Sequence, residues 1–142
     1  MKIRDILKEK GSEIITINAD ARITEVADKM MNRKIGALLI EDKENLIGII
    51  SERDIVVILA KTECEFQNLT VRDIMVHSEK LIVAEPDDEE VYVMAVMIQK
   101  GVRHMPVVEN GELIGIVSIR DVVRAHVKKL QAEARFFAEY IK

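Results

Sequence analysis

The chain has 142 residues, 49% of them apolar, enough to bury a core in one compact domain or two small, closely packed ones. Its formal net charge of −4, with no stretch dense in Lys or Arg, argues against nucleic acid as a partner, and no apolar run approaches the roughly 20 residues of a membrane helix. Cys64 is the only cysteine, which excludes an intrachain disulfide framework, and the charged opening Met1-Lys2-Ile3-Arg4-Asp5 lacks the apolar run of a secretory signal, so a cytoplasmic location is expected.

In chain order, the segment Ile3-Arg4-Asp5-Ile6-Leu7 leads into a short apolar run at residues 14–17, read as a strand. Apolar positions at Ile23, Val26, Ala27 and Met30 then fall three and four apart and predict a helix. A strand is predicted at 37–40, a turn at Asp42-Lys43-Glu44-Asn45 and a second strand at 46–50. A second helix starts near Ser51, and a polar connection over 61–69 carries Cys64. The same order then returns, opened by Val71-Arg72-Asp73-Ile74-Met75. A strand is expected at 81–84, and Pro86-Asp87-Asp88-Glu89-Glu90 suits a helix entry. That helix is given an apolar face of Val91, Met94, Ala95 and Ile98. Strands at 105–108 and 113–117 flank a turn at Glu109-Asn110-Gly111, and a helix starts near Ser118. The tail from 122 to 142 continues helical, with Val123, Val127, Leu130, Ala134, Phe137 and Ile141 along one stripe. Such a stripe serves either docking on its own chain or a dimer contact.

Internal repetition decides the organisation. Residues 46–54 read LIGIISERD and residues 113–121 read LIGIVSIRD, identical at seven of nine positions. The offset is 67 from Gly48 to Gly115 and from Asp54 to Asp121, and it places Ile35 on Val102, Ala27 on Met94 and Met30 on Met97. The lead-ins repeat with an offset of 68, from Arg4 to Arg72. The chain is a duplication of a β-α-β-β-α unit. Each copy of about 60 residues is marginal alone, so the two are expected to pack through their sheets.

Chemistry concentrates at the repeated strand-to-helix turn, Gly48 to Asp54 and Gly115 to Asp121. Serine followed three residues later by an acid approximates a capping box, which needs no ligand and is worth roughly 1 kcal/mol. Three features point beyond a cap. Gly48 and Gly115 sit in apolar strands, where glycine signals close approach to the backbone. Arg53 and Arg120 place a cation beside a helix N-terminus that already attracts anions. Asp54 and Asp121 can accept hydrogen bonds from vicinal hydroxyls, as an acid does for ribose in dinucleotide folds. Hydroxyl, cation and carboxylate within four residues suit a phosphate joined to a ribose.

Tandem β-α-β-β-α units that each close on Gly-hydrophobic-x-Ser-x-x-Asp, with an Arg-Asp-Ile-Leu/Met lead-in, resemble the CBS domain pair, or Bateman module. The resemblance covers essentially the whole chain and implies an α/β fold of two pseudo-symmetric units plus a C-terminal helix, like that of small stand-alone CBS-pair proteins. It implies CBS domains at 9–68 and 76–133 with a helical tail at 134–142. It also implies clefts between the units that take AMP, ADP, ATP, NAD(H) or S-adenosylmethionine. Carried over residue by residue, Asp54 and Asp121 would hold ribose hydroxyls, while Ser51, Arg53, Ser118 and Arg120 would face phosphate. Arg103 and His104 match phosphate contacts, whereas their counterparts Gly36 and Ala37 would wall a base pocket with Ile15 and Thr16 from one copy and Ile82 and Val83 from the other. Copy two carries Arg103-His104-Met105-Pro106-Val107-Val108, but copy one reads Gly36-Ala37-Leu38-Leu39-Ile40 without the proline. The Asp121 site is therefore expected to be the better phosphate site.

His77, His104 and His126 show no zinc-ligand spacing, and Cys64 has no nearby His in sequence. The acids at 85–90 read as a helix start and the methionines as core filler. The expectation is a regulatory, nucleotide-sensing module with no catalytic residues and no metal, forming a homodimer and signalling to a regulated protein partner. The alternatives are a ligand-free structural scaffold and, less favoured, an enzyme.

Overall fold

The computed structural model describes residues 1–11, 13–61, 66–77 and 81–141. The chain forms two compact units, one of Ile14–Leu81 and one of Met1–Glu13 with Ile82–Lys142.

In the Ile14–Leu81 unit, strand β1 (Thr16–Asn18) leads to helix α2 (Ile23–Arg33), which follows the N-terminal helix α1 (Ile3–Lys10) of the other unit. Strands β2 (Ala37–Asp42) and β3 (Asn45–Ser51) form a hairpin, and helix α3 (Glu52–Lys61) leaves directly from β3. A short 3-10 turn at Phe66–Asn68, a four-residue helix α4 (Val71–Ile74) and strand β4 (Val76–His77) complete the unit. The sheet order is β1-β2-β3-β4, with β1 parallel to β2 and the other pairs antiparallel. Ile23, Val26 and Met30 of α2 bury against Leu38, Ile40 and Ile50 of the sheet and Val71 of α4.

The other unit repeats this plan with helix α5 (Glu90–Lys100), strands β5 (His104–Glu109) and β6 (Glu112–Ser118), and helix α6 (Ile119–Ile141). Val93, Met97, Met105, Val107, Val117 and Val122 join Ile3 and Ile6 of α1 in its core. Both hairpins turn through two residues of positive φ, Lys43 and Glu44 at 50° and 68°, Asn110 and Gly111 at 53° and 80°. That is the mirror-type turn whose twist matches paired strands, and Asn-Gly is its preferred sequence.

The first strand of copy two differs from expectation. Residues 81–84 make only an isolated parallel bridge, Ala84 to Val107. In copy one the Leu39 amide donates to the Ile15 carbonyl at 3.4 Å. The equivalent of Leu39 is Pro106, which has no N–H, so that rung cannot form. The face of α5 also differs. Its buried residues are Glu90, Val93 and Met97, the equivalents of Ile23, Val26 and Met30, while Val91 is 46% and Ile98 71% exposed. Because α5 is apolar on nearly every side, spacing alone does not select its inner face.

The lead-ins are helical, and each docks on the copy other than the one it leads into. In α1 the amides of Ile3 and Arg4 donate to the carbonyls of Asp88 and Pro86 at 2.9 and 2.8 Å. In α4 the amides of Val71 and Arg72 donate to Ala21 and Ala19, both at 2.9 Å. These acceptors are equivalent under the repeat. So are the ion pairs: Arg4 reaches Asp87 and Glu109, and Arg72 reaches Asp20 and Asp42. The N-terminal lead-in therefore belongs to the unit of copy two, and the internal lead-in to that of copy one.

Helix α6 runs unbroken through the tail. Val122 and Ala125 are buried, but Val127, Leu130, Phe137 and Ile141 are 44% to 78% exposed. Among the described residues of its unit, nothing covers this stripe. Phe136 stacks on Tyr140 with ring centroids 6.0 Å apart.

Candidate functional site

Each repeated turn places a carboxylate at the mouth of a helix. In copy one the Ser51 amide donates to Asp54 Oδ2 at 2.8 Å, the Ser51 hydroxyl donates to the same oxygen at 3.0 Å, and the Asp54 amide lies 3.3 Å from Ser51 Oγ. In copy two the Ser118 amide donates to Asp121 Oδ2 at 2.8 Å and the Asp121 amide to Ser118 Oγ at 3.1 Å. These are reciprocal caps with aspartate in the third position. Among the described residues the bonds to either carboxylate fall on Oδ2.

The strand entries lie beside these turns. Ala37 pairs with Ser51 across β2 and β3, and the Glu52 amide donates to the Gly36 carbonyl at 3.0 Å. In the same way His104 pairs with Ser118, and the Ile119 amide donates to the Arg103 carbonyl at 2.8 Å. Arg103, His104, Ser118, Arg120 and Asp121 thus share one corner of their unit, where the arginines are exposed and the others half-buried. Gly36, Ala37, Ser51, Arg53 and Asp54 share the equivalent corner, with Arg53 exposed.

The first-strand positions are less uniform. Ile15 and Ile82 pack partly buried against their own cores, and Val83 is 46% exposed. Thr16 is engaged twice: its hydroxyl donates to Glu41 at 2.9 Å and its carbonyl accepts from Lys29.

Two features at the Asp121 turn were not read from the sequence. Lys10, from the end of α1, donates to Asp121 Oδ2 at 2.7 Å and to the Ile116 carbonyl at 2.8 Å. Burial would push the Asp121 carboxyl up, but the Lys10 ammonium and the Ser118 amide outweigh it and hold the group below its ordinary value. A Cβ on Gly115 would stand 2.8 Å from Leu7 Cδ2. The close approach that glycine signalled is therefore made by the chain's own leucine. The repeated lead-in was the signal that could have placed α1 here.

A second charged cluster surrounds Glu90, whose side chain is fully buried. It accepts from the Met1 amino group at 2.8 Å and lies 3.4 Å from His126 Nδ1 and 3.6 Å from Lys129 Nζ. Burial works to raise its pKa, but the amino group, His126 and its own backbone amide lower it to about 2. Among the described residues no group of three or more His, Cys, Asp or Glu is placed to hold a metal ion, and no helix is long and apolar enough to cross a membrane. Cys64 lies outside the described residues.

The profile of the CBS domain matches this chain twice, over residues 3–61 and 71–128. The CBS domain-containing protein CBSX3, mitochondrial, of Arabidopsis thaliana is 31% identical over 99% of this chain and 71% of its own length. Among solved structures, the CBS-domain containing protein ATU1752 from Agrobacterium tumefaciens superposes with a TM-score of 0.85 at 32% identity, covering 89% of this chain and 99% of that one. The CBS domain pair of protein MJ0100, crystallised in complex with 5-methylthioadenosine and S-adenosyl-L-methionine, gives a TM-score of 0.78 at 28% identity over 91% of this chain and 98% of that one.

Proposed function

The chain belongs to the CBS-domain family, with two CBS domains in tandem, and from that premise we propose that it is a regulatory module that senses adenine nucleotides. The observation that carries this reading is the duplicated turn. Asp54 and Asp121 are each held at a helix mouth by the serine three residues before, with an exposed arginine alongside. A carboxylate so placed accepts both hydroxyls of a ribose, and the positive end of the helix with its exposed arginine attracts the phosphate. The adenosine compounds bound by the MJ0100 pair carry the same ribose, without a phosphate. AMP, ADP, ATP and NAD(H) all present an adenosine with phosphate, and S-adenosylmethionine presents the same adenine and ribose with a sulfonium-linked methionine in place of phosphate. The role is binding rather than catalysis, with the signal passed to a protein partner by the state the ligand favours.

A ligand-free scaffold is the second reading, favoured by the observation that both serine–aspartate pairs are already satisfied as caps. A thermal-shift series with AMP, ADP, ATP, NAD(H) and S-adenosylmethionine separates the two. A ligand at 100 times its dissociation constant stabilises by about 2.7 kcal/mol, whereas a scaffold shows no shift with any of them.

The tail supports association with a second copy. Val123, Val127, Leu130, Ala134, Phe137 and Ile141 alternate at spacings of four and three, the seam of a two-stranded coil. All six are exposed on α6, so the same stripe on another copy is its self-complementary partner.

A further inference from the structure

The geometry points to Lys10 as a specificity-determining residue that makes the Asp121 site select phosphorylated adenosine over adenosine itself. This inference rests on the nucleotide-sensing reading above. Asp121 Oδ2 already accepts from the Lys10 ammonium at 2.7 Å and from the Ser118 amide at 2.8 Å. A ribose that grips the carboxylate through two hydroxyls needs both oxygens, so the lysine must give up its place on Oδ2. Once displaced, the ammonium has lost its counter-charge, with a carbonyl, Ile116, as its remaining acceptor. A nucleoside leaves it so. A nucleotide supplies a phosphate next to the ribose it has just lost its carboxylate to, and the Ser118 amide that ends β6 shares that same oxygen with the ammonium.

The surroundings favour an anion as the new partner. The groove between α1 and α6 beside Asp121 has a volume of about 150 Å3 and is lined by Lys10, Arg124 and Lys128, with Glu9 as the other acid. Lys128 lies 3.7 Å from Glu9, which leaves Lys10 and Arg124 to face the incoming charge. With Lys10 seated, the groove is smaller than the roughly 300 Å3 at which small-molecule sites begin. Among the described residues Asp54 has no cation paired with it, so this selection belongs to the Asp121 site.

The test is calorimetric titration of AMP and of adenosine into the full chain and into Lys10→Met and Lys10→Arg. In Lys10→Met the preference for AMP over adenosine should fall roughly tenfold, because adenosine no longer competes with an ammonium and AMP loses a charge-assisted contact. Lys10→Arg should keep most of the preference. A Lys10→Met protein that folds, by its circular dichroism and melting curve, and keeps the wild-type ratio overturns the inference, since a purely structural tie would weaken both ligands alike. If Lys10→Met does not fold, a Lys10→Gln protein carries the same ratio test. Failure of wild type to bind either ligand would instead strike the nucleotide reading itself.

Discussion

Leu7 of α1 occupies the space directly over Gly115 of β6, with its Cδ2 2.8 Å from where a β-carbon would stand. The glycine in the middle of an apolar strand is thereby explained by packing within the chain. Gly115→Ala displaces only the end of a flexible side chain and gains some strand propensity, so its cost should stay within about 1 kcal/mol. Gly115→Val has no room to relax and should lose about 2 kcal/mol or more in urea denaturation. Equal stability of the valine variant and wild type would show that α1 does not pack there.

The hairpin turns predict a gain. Lys43 and Glu44 both hold positive φ, a conformation costly for residues with a β-carbon, where copy two uses Asn110-Gly111. Replacing Lys43-Glu44 by Asn-Gly should raise stability by about 1 kcal/mol without altering nucleotide affinity. Loss of stability would mean that the turn is held by contacts of the two long side chains.

Much of this was legible in the sequence, and the misses have physical causes. The repeat of LIG-I-x-S-x-R-D with a 67-residue offset places Asp54 and Asp121 in equivalent turns, and the structure puts both at helix mouths. Periodicity failed on α5, where Val91, Met94 and Ile98 are as apolar as the buried Val93 and Met97. It overestimated the strand at 81–84, because the missing amide of Pro106 acts on a neighbouring strand rather than its own. Lys10 was invisible for a different reason. Its partner lies 111 residues away, and the repeated lead-in marks α1 in the sequence without saying on which copy it docks.

Glu90 predicts an acid-sensitive step. Its carboxyl titrates at about 2 in the folded chain, below its ordinary 4.5. A depressed folded value contributes stability above the unfolded pKa, and that contribution is lost as pH falls from about 4.5 toward 2. Glu90→Gln should therefore cost about 2 kcal/mol at pH 7 and progressively less below pH 4, measured by denaturation across pH. A cost independent of pH would contradict the charge pairing with the Met1 amino group.

The exposed stripe of α6 predicts the assembly state. Wild type should sediment as a dimer, and Leu130→Asp with Phe137→Glu should sediment as a monomer with an unchanged melting profile of the core at low concentration. A doubly substituted chain that stays dimeric would assign the contact to another face.

The most direct test of nucleotide sensing is calorimetric titration of AMP and ATP into wild type, Asp54→Asn, Asp121→Asn and the double variant. Binding should appear in wild type, weaken in each single variant, and weaken more at Asp121, where Arg103, His104 and Arg120 share the corner and Lys10 joins them. The double variant should not bind. A double variant with wild-type affinity, or a wild type that binds no adenine nucleotide, would contradict the account.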